Sequence, residues 1–102
     1  MAGFVRLASL ADLPPGGSLE VEHEGHIYAL FNVDGVISAI DGICAHQGGP
    51  LADGPLRGTL VTCPWHGWQF DVRTGCTPVS SRIKQSVFEV VVQGQDVLVA
   101  VA

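Results

Sequence analysis

The chain has 102 residues, with ten acidic side chains against five basic ones and a formal net charge of -5. That length gives one domain, near the lower size at which a core is stable unaided, and leaves no room for a second catalytic domain. The acidic balance excludes nucleic-acid binding, which needs clustered Lys and Arg, and suits an electropositive protein partner or plain solubility.

Alternating apolar and polar residues, separated by turn residues, run from end to end, and no amphipathic helical window exceeds a few residues. An all-β protein is expected. Phe4 to Ser9 reads as the first strand, and Pro14-Pro15-Gly16-Gly17 as a loop within the domain. Ser18 to His23 and His26 to Phe31 form a hairpin about Glu24-Gly25; Asn32-Val33 and Val36 to Ile40 form another about Asp34-Gly35. Val87 to Val92 and Val97 to Val101 make a third, about Gln93 to Asp96. The N-terminal stretch from Met1 to Leu10 carries only Arg6 as a charge and no apolar run of signal-peptide length, and no segment approaches a membrane span. The expectation is a cytoplasmic protein with no membrane contact.

After the second hairpin comes Cys44-Ala45-His46, and after sixteen intervening residues Cys63-Pro64-Trp65-His66. Each pair mixes a thiolate with an imidazole inside a loop rich in Gly and Pro, so the two loops call for a metal site with two chemically different halves. A structural zinc site more often sets an all-cysteine hairpin against a histidine pair. A dinuclear iron-sulfur cluster suits the mixed pairs, with two thiolates on one iron and two imidazoles on the other. The candidate ligands are Cys44, His46, Cys63 and His66. Leu60-Val61-Thr62 reads as a strand that carries the second pair at its end. Gly48, Gly49 and Gly67 permit tight bends and close backbone approach, and Pro50 and Pro64 stiffen them.

From about Cys44 to Asp71 the chain resembles the Rieske ferredoxin family, whose Cys-x-His, spacer, Cys-x-x-His signature it matches without a gap. His66-Gly67-Trp68-Gln69-Phe70-Asp71 and Thr74-Gly75 are similar to the strand and turn that follow. The resemblance implies one Rieske domain over residues 1–102, with a small cluster-binding lobe at about 42–80 on a larger base of antiparallel sheets. It also implies one 2Fe-2S cluster, with Cys44 and Cys63 on the buried iron and His46 and His66 on the outer iron near the surface. With two thiolates and neutral imidazoles the oxidised cluster is uncharged and the reduced one singly negative, against -2 and -3 for four thiolates. Reduction therefore meets less repulsion, and Rieske potentials span about -150 to +300 mV, against about -400 mV for plant-type ferredoxins.

High-potential members of the family carry a disulfide between the two loops, and hydroxyl donors from a serine and a tyrosine to cluster sulfurs. The matching positions here are Gly49 and Trp65, and Trp68 and Phe70. Fewer donors favour the reduced cluster less, which implies a potential at the lower end of the class. That is similar to soluble ferredoxins feeding oxygenases. The implied role is a monomeric one-electron carrier, not itself an enzyme, between a flavin-dependent reductase and a terminal oxygenase that both dock near His46 and His66. Gln47, Trp65 and Trp68 are candidates for the docking rim, the two tryptophans also for the core. A small Rieske subunit of an assimilatory nitrite reductase is the alternative within electron transfer, and a zinc-stapled interaction module the alternative outside it.

Cys76 is left over as a free thiol, read as a small filler in a turn near the ligand loops, or else as a redox-sensitive thiol or spare ligand. His23 and His26 flank a turn without matching His-Glu-x-x-His and read as surface histidines. Asp12, Asp34, Asp41, Asp53 and Asp71 read as turn and loop residues.

Overall fold

β-branched and aromatic residues bounded by glycine turns favour pleated strands, and strands dominate the computed structural model, which describes residues 3–44, 48–65, 67–78 and 80–101, side chains at 80–83 excepted. Antiparallel pairing joins β1 (Phe4–Ser9), β12 (Asp96–Ala100) and β11 (Val90–Gln93) into a base sheet of order β1-β12-β11. A second sheet runs β10-β4-β3-β2, from β2 (Ser18–His23), β3 (His26–Val33), β4 (Val36–Asp41) and β10 (Val87–Phe88). A lobe of β5 (Leu56–Arg57), β6 (Leu60–Thr62) and β7 (Gln69–Asp71), with the pair β8 (Cys76–Thr77) and β9 (Ser80–Lys84), completes the strands described. Among the described residues no helix is long and apolar enough to cross a membrane. The expected all-β, antiparallel architecture is the observed one.

Both early hairpins turn where expected. Glu24 and Gly25 have φ of 51° and 81°, and Asp34 and Gly35 have 51° and 91°, the paired positive values of a two-residue turn whose twist matches its strands. Asn32 reinforces the second one: its Oδ1 accepts from the Gly35 N–H at 2.8 Å, while its Nδ2 donates to the Leu13 carbonyl at 2.8 Å.

The central strands β3 and β4 of this sheet are buried on both faces, which explains the unbroken apolar run of β3. Successive side chains point to opposite faces. Leu30, with Ile37 and Ala39 of β4, packs against Ala8, Val97 and Val99 of the base and against Leu13 in the segment between β1 and β2. Ala29 and Phe31, with Ile40, point the other way and meet Cys44, Leu51, Ala52, Val61, Cys63, Phe70 and Val72 of the lobe. The register sets Ala29 opposite Ile40 and Leu30 opposite Ala39, so each face is shared across the pair.

The third hairpin differs from expectation. Val87 to Val92 is interrupted at Glu89: β10 pairs with β4, Val87 opposite Ile40, whereas β11 pairs with β12. The chain crosses between sheets there, and the Glu89 carbonyl accepts from Ala100 N at 2.9 Å. A strand that switches sheets forms a corner, and pairing partners set such corners.

Candidate metal centre

Both cysteines sit where a strand of the sheet framework gives way to a loop, and both loops close by the same hydrogen bonds. In the first, Cys44 N donates to the Gly49 carbonyl at 2.8 Å and Gly48 N donates back to the Cys44 carbonyl at 2.9 Å. In the second, Cys63 N donates to the Trp68 carbonyl at 2.6 Å and Gly67 N to the Cys63 carbonyl at 3.1 Å. The glycine four residues after each cysteine has φ of 77°, a left-handed conformation that costs any residue with a Cβ. Equivalent closures thus present equivalent cysteines from two sides.

The two side chains converge. Cys44 and Cys63 are 3% and 2% exposed, both thiols are free, and they lie within hydrogen-bond reach of each other. Burial pushes the Cys63 thiol up from its ordinary pKa and the Cys44 thiol beside it adds to this, while backbone hydrogen bonds from Trp65 and Gly49 pull it down. Two adjacent buried thiols with N–H donors aimed at sulfur suit a group that turns both into thiolates and offsets their charge. Space is limited on one side: a Cβ on Gly49 would come within 2.7 Å of Cys63 Sγ and 2.9 Å of Trp65 Cγ. The residues present therefore fit a small sulfur-ligated metal group.

His46, His66 and Gln47 lie outside the described residues. Trp65 is 52% exposed beside the second loop, as a rim residue would be. Trp68 is partly buried, packed on the lobe core, with its ring 6.4 Å from that of Phe70. Phe70 is fully buried in the cluster of side chains that holds both cysteines. Cys76 is partly buried at the start of β8.

Several contacts around the loops escape sequence reasoning. Asp41 and Asp71 each accept from an N–H two residues ahead, that of Ile43 at 3.1 Å and of Arg73 at 2.8 Å, and so shape the chain leaving their strands. His26 is less a surface residue than expected. Its ring lies 4.5 Å from Tyr28 and 5.7 Å from Phe88, with Nε2 buried and 3.8 Å from an Asp41 carboxylate oxygen. Gln85, a polar residue with no motif to mark it, is 2% exposed against the first loop. Nothing in the local pattern distinguishes it from a surface strand residue.

Residues 3–89 match the family model of the Rieske [2Fe-2S] domain. The chain belongs to that family. This Rieske protein is 37% identical over 99 residues to the ferredoxin component of a naphthalene 1,2-dioxygenase system from Pseudomonas aeruginosa, covering 94% of this chain and 93% of that one. It is 36% identical over 104 residues to the biphenyl dioxygenase ferredoxin subunit of Pseudomonas sp. (strain KKS102), covering 94% and 90%. Among solved structures it resembles the ferredoxin of carbazole 1,9a-dioxygenase from Nocardioides aromaticivorans IC177, with a TM-score of 0.90 at 29% identity over 99% of this chain and 100% of that one. It is a Rieske-type ferredoxin with one 2Fe-2S cluster, an electron-transfer component and not itself a catalyst. The zinc-stapled alternative falls with that assignment.

Proposed function

We propose that Cys44, His46, Cys63 and His66 hold the cluster, two thiolates on one iron and two imidazoles on the other. The observation that supports this set is the matched closure of the two loops, which brings Cys44 and Cys63 together as buried neighbours. When bound, the cluster supplies a reversible one-electron step. The chain's own part is to exclude water from the thiolate side, where Leu51, Val61 and Phe70 are fully buried, and to aim backbone N–H groups at Cys63 sulfur. A single Rieske domain spans residues 1–102, with the cluster-binding segment at about 42–80.

The protein is a ferredoxin-type carrier that links a reductase to a terminal, aromatic-ring-hydroxylating oxygenase. Its reductase is of the flavin-dependent class, and both partners dock in turn on the surface around His46 and His66. Trp65, 52% exposed, and Ile43, 38% exposed, give that surface an apolar rim of the kind that suits brief, repeated encounters. The carrier works as a monomer in the cytoplasm, a compartment that keeps ligand thiols reduced.

Reconstitution tests the reading. Alone, the protein turns over no organic substrate; added to a reductase and oxygenase pair, it restores substrate oxidation, more slowly as salt screens its acidic surface. Cys44→Ser and Cys63→Ser should each lose the cluster, measured as iron and acid-labile sulfide per chain. Either variant retaining both in full would remove that cysteine from the ligand set.

A further inference from the structure

β10 pairs with β4 only as far as Val87 opposite Ile40, with one more bond from Asp41 N to the Ser86 carbonyl at 2.8 Å. Beyond it the main chain diverges: Gln85 N donates to the Gly75 carbonyl at 2.7 Å, and the two backbones touch so closely that a Cβ on Gly75 would overlap the Gln85 carbonyl. After β4 the chain runs on through Gly42 and Ile43 to Cys44, and among the described residues no main-chain donor of β10 reaches the carbonyls of Asp41 and Ile43. The Gln85 side chain takes them instead. Its Nε2 donates to the Asp41 carbonyl at 2.9 Å and to that of Ile43. Carbonyls two residues apart on an extended chain point the same way, and one amide carries two N–H donors, so one glutamine serves both.

We infer that Gln85 is a positioning residue for the first ligand loop, its side chain standing in for a strand and fixing the chain at Ile43, one residue before Cys44. The inference rests on the reading of Cys44 as a ligand, which Cys44→Ser tests separately. Ile43 is itself bridged to Pro50 at the far side of the loop, and Leu51 N donates to the Gly42 carbonyl at 2.9 Å. Gln85 therefore holds the stem from which the loop springs, with a side chain 2% exposed whose amide bonds both carbonyls.

Gln85→Met keeps the length of the side chain and removes both donors. In the purified cluster-loaded protein it should release iron to a chelator on the order of tenfold faster than the parent, the loss of one net buried hydrogen bond or more. The reduced-state electron spin resonance lines should broaden as the Cys44 loop samples more geometries. Asn32→Ala is the matched control: it deletes another buried amide bonded to main chain, at Leu13 and Gly35, away from both ligand loops. It should lower the unfolding midpoint while leaving the lines unchanged. An unchanged release rate and spectrum in Gln85→Met would overturn the inference, as would equal line broadening in the control. Should Gln85→Met fail to fold, hydrogen exchange in the unmutated protein decides: protected Gln85 side-chain amide protons support the role, and exchange as fast as in an exposed glutamine overturns it.

Discussion

Trp65 lies across Gly49, so close that a Cβ on Gly49 would stand 2.9 Å from Trp65 Cγ and 3.1 Å from its Cβ, and 2.7 Å from Cys63 Sγ. These two residues occupy the positions where high-potential relatives place a bridging cysteine pair. Here contact between a bare backbone and an indole joins the loops instead. The backbone at Gly49 is not left-handed, so an added methyl meets steric resistance alone. Gly49→Ala is expected to cost about 1 to 3 kcal/mol by overpacking, and to lower iron content per chain because Cys63 Sγ is among the atoms displaced. Thermal melting and iron analysis of the variant check both.

Phe70 is fully buried in the side-chain cluster that contains Cys44 and Cys63, and it has no donor. A hydroxyl introduced by Phe70→Tyr, or one from Trp68→Ser, would bond more strongly to the reduced, more negative cluster. Each is expected to raise the potential by roughly 40 to 90 mV, from a differential on the order of 1 to 2 kcal/mol. Phe70→Leu is the control for packing. Voltammetry should find an upward shift with tyrosine and none of that size with leucine in fully loaded protein.

Asn32 spans two structures with one amide, the Leu13 carbonyl on Nδ2 and the Gly35 N–H on Oδ1, at 5% exposure. Asn32→Ala leaves a buried carbonyl and a turn N–H without those partners. A loss of about 2 to 3 kcal/mol is expected, read as a lower denaturation midpoint with an unchanged slope.

The first two hairpins and the family signature were legible because each depends on neighbours in sequence. Glu24-Gly25 and Asp34-Gly35 can adopt paired positive φ whatever surrounds them, and the mixed Cys/His pairs announce a two-sided metal site. What was not legible depends on partners distant along the chain. Val87 to Val92 has the period of one strand, and only competition between β4 and β12 for its two halves breaks it at Glu89. Gln85 sits in a polar stretch that reads as surface, yet its place opposite residues 42 and 44 positions earlier buries it. His26 reads as a hairpin residue because Phe88, which covers it, arrives from the other end of the chain.

Burial raises the Cys63 thiol above its ordinary pKa. In cluster-free protein the unfolded chain therefore sheds this proton first, so the unfolded state binds fewer protons as pH rises and stability falls. The contribution is intact below the ordinary thiol pKa and is lost as pH climbs through the raised one. Denaturant titrations of cluster-free protein should show that alkaline decline, and Cys63→Ser should flatten it.

The ligand set is tested most directly by pulsed electron spin resonance of the reduced protein, with histidine labelled by nitrogen-15. Nitrogens bound to the iron that accepts the electron couple strongly to its spin, and a Rieske centre has two such imidazoles. His46 and His66 should give two strong couplings, both changed by the label, and the couplings should persist unaltered in His23→Gln and His26→Gln variants. A spectrum with no strongly coupled histidine nitrogen, or couplings lost with His23 or His26, would contradict the assignment of His46 and His66 as ligands.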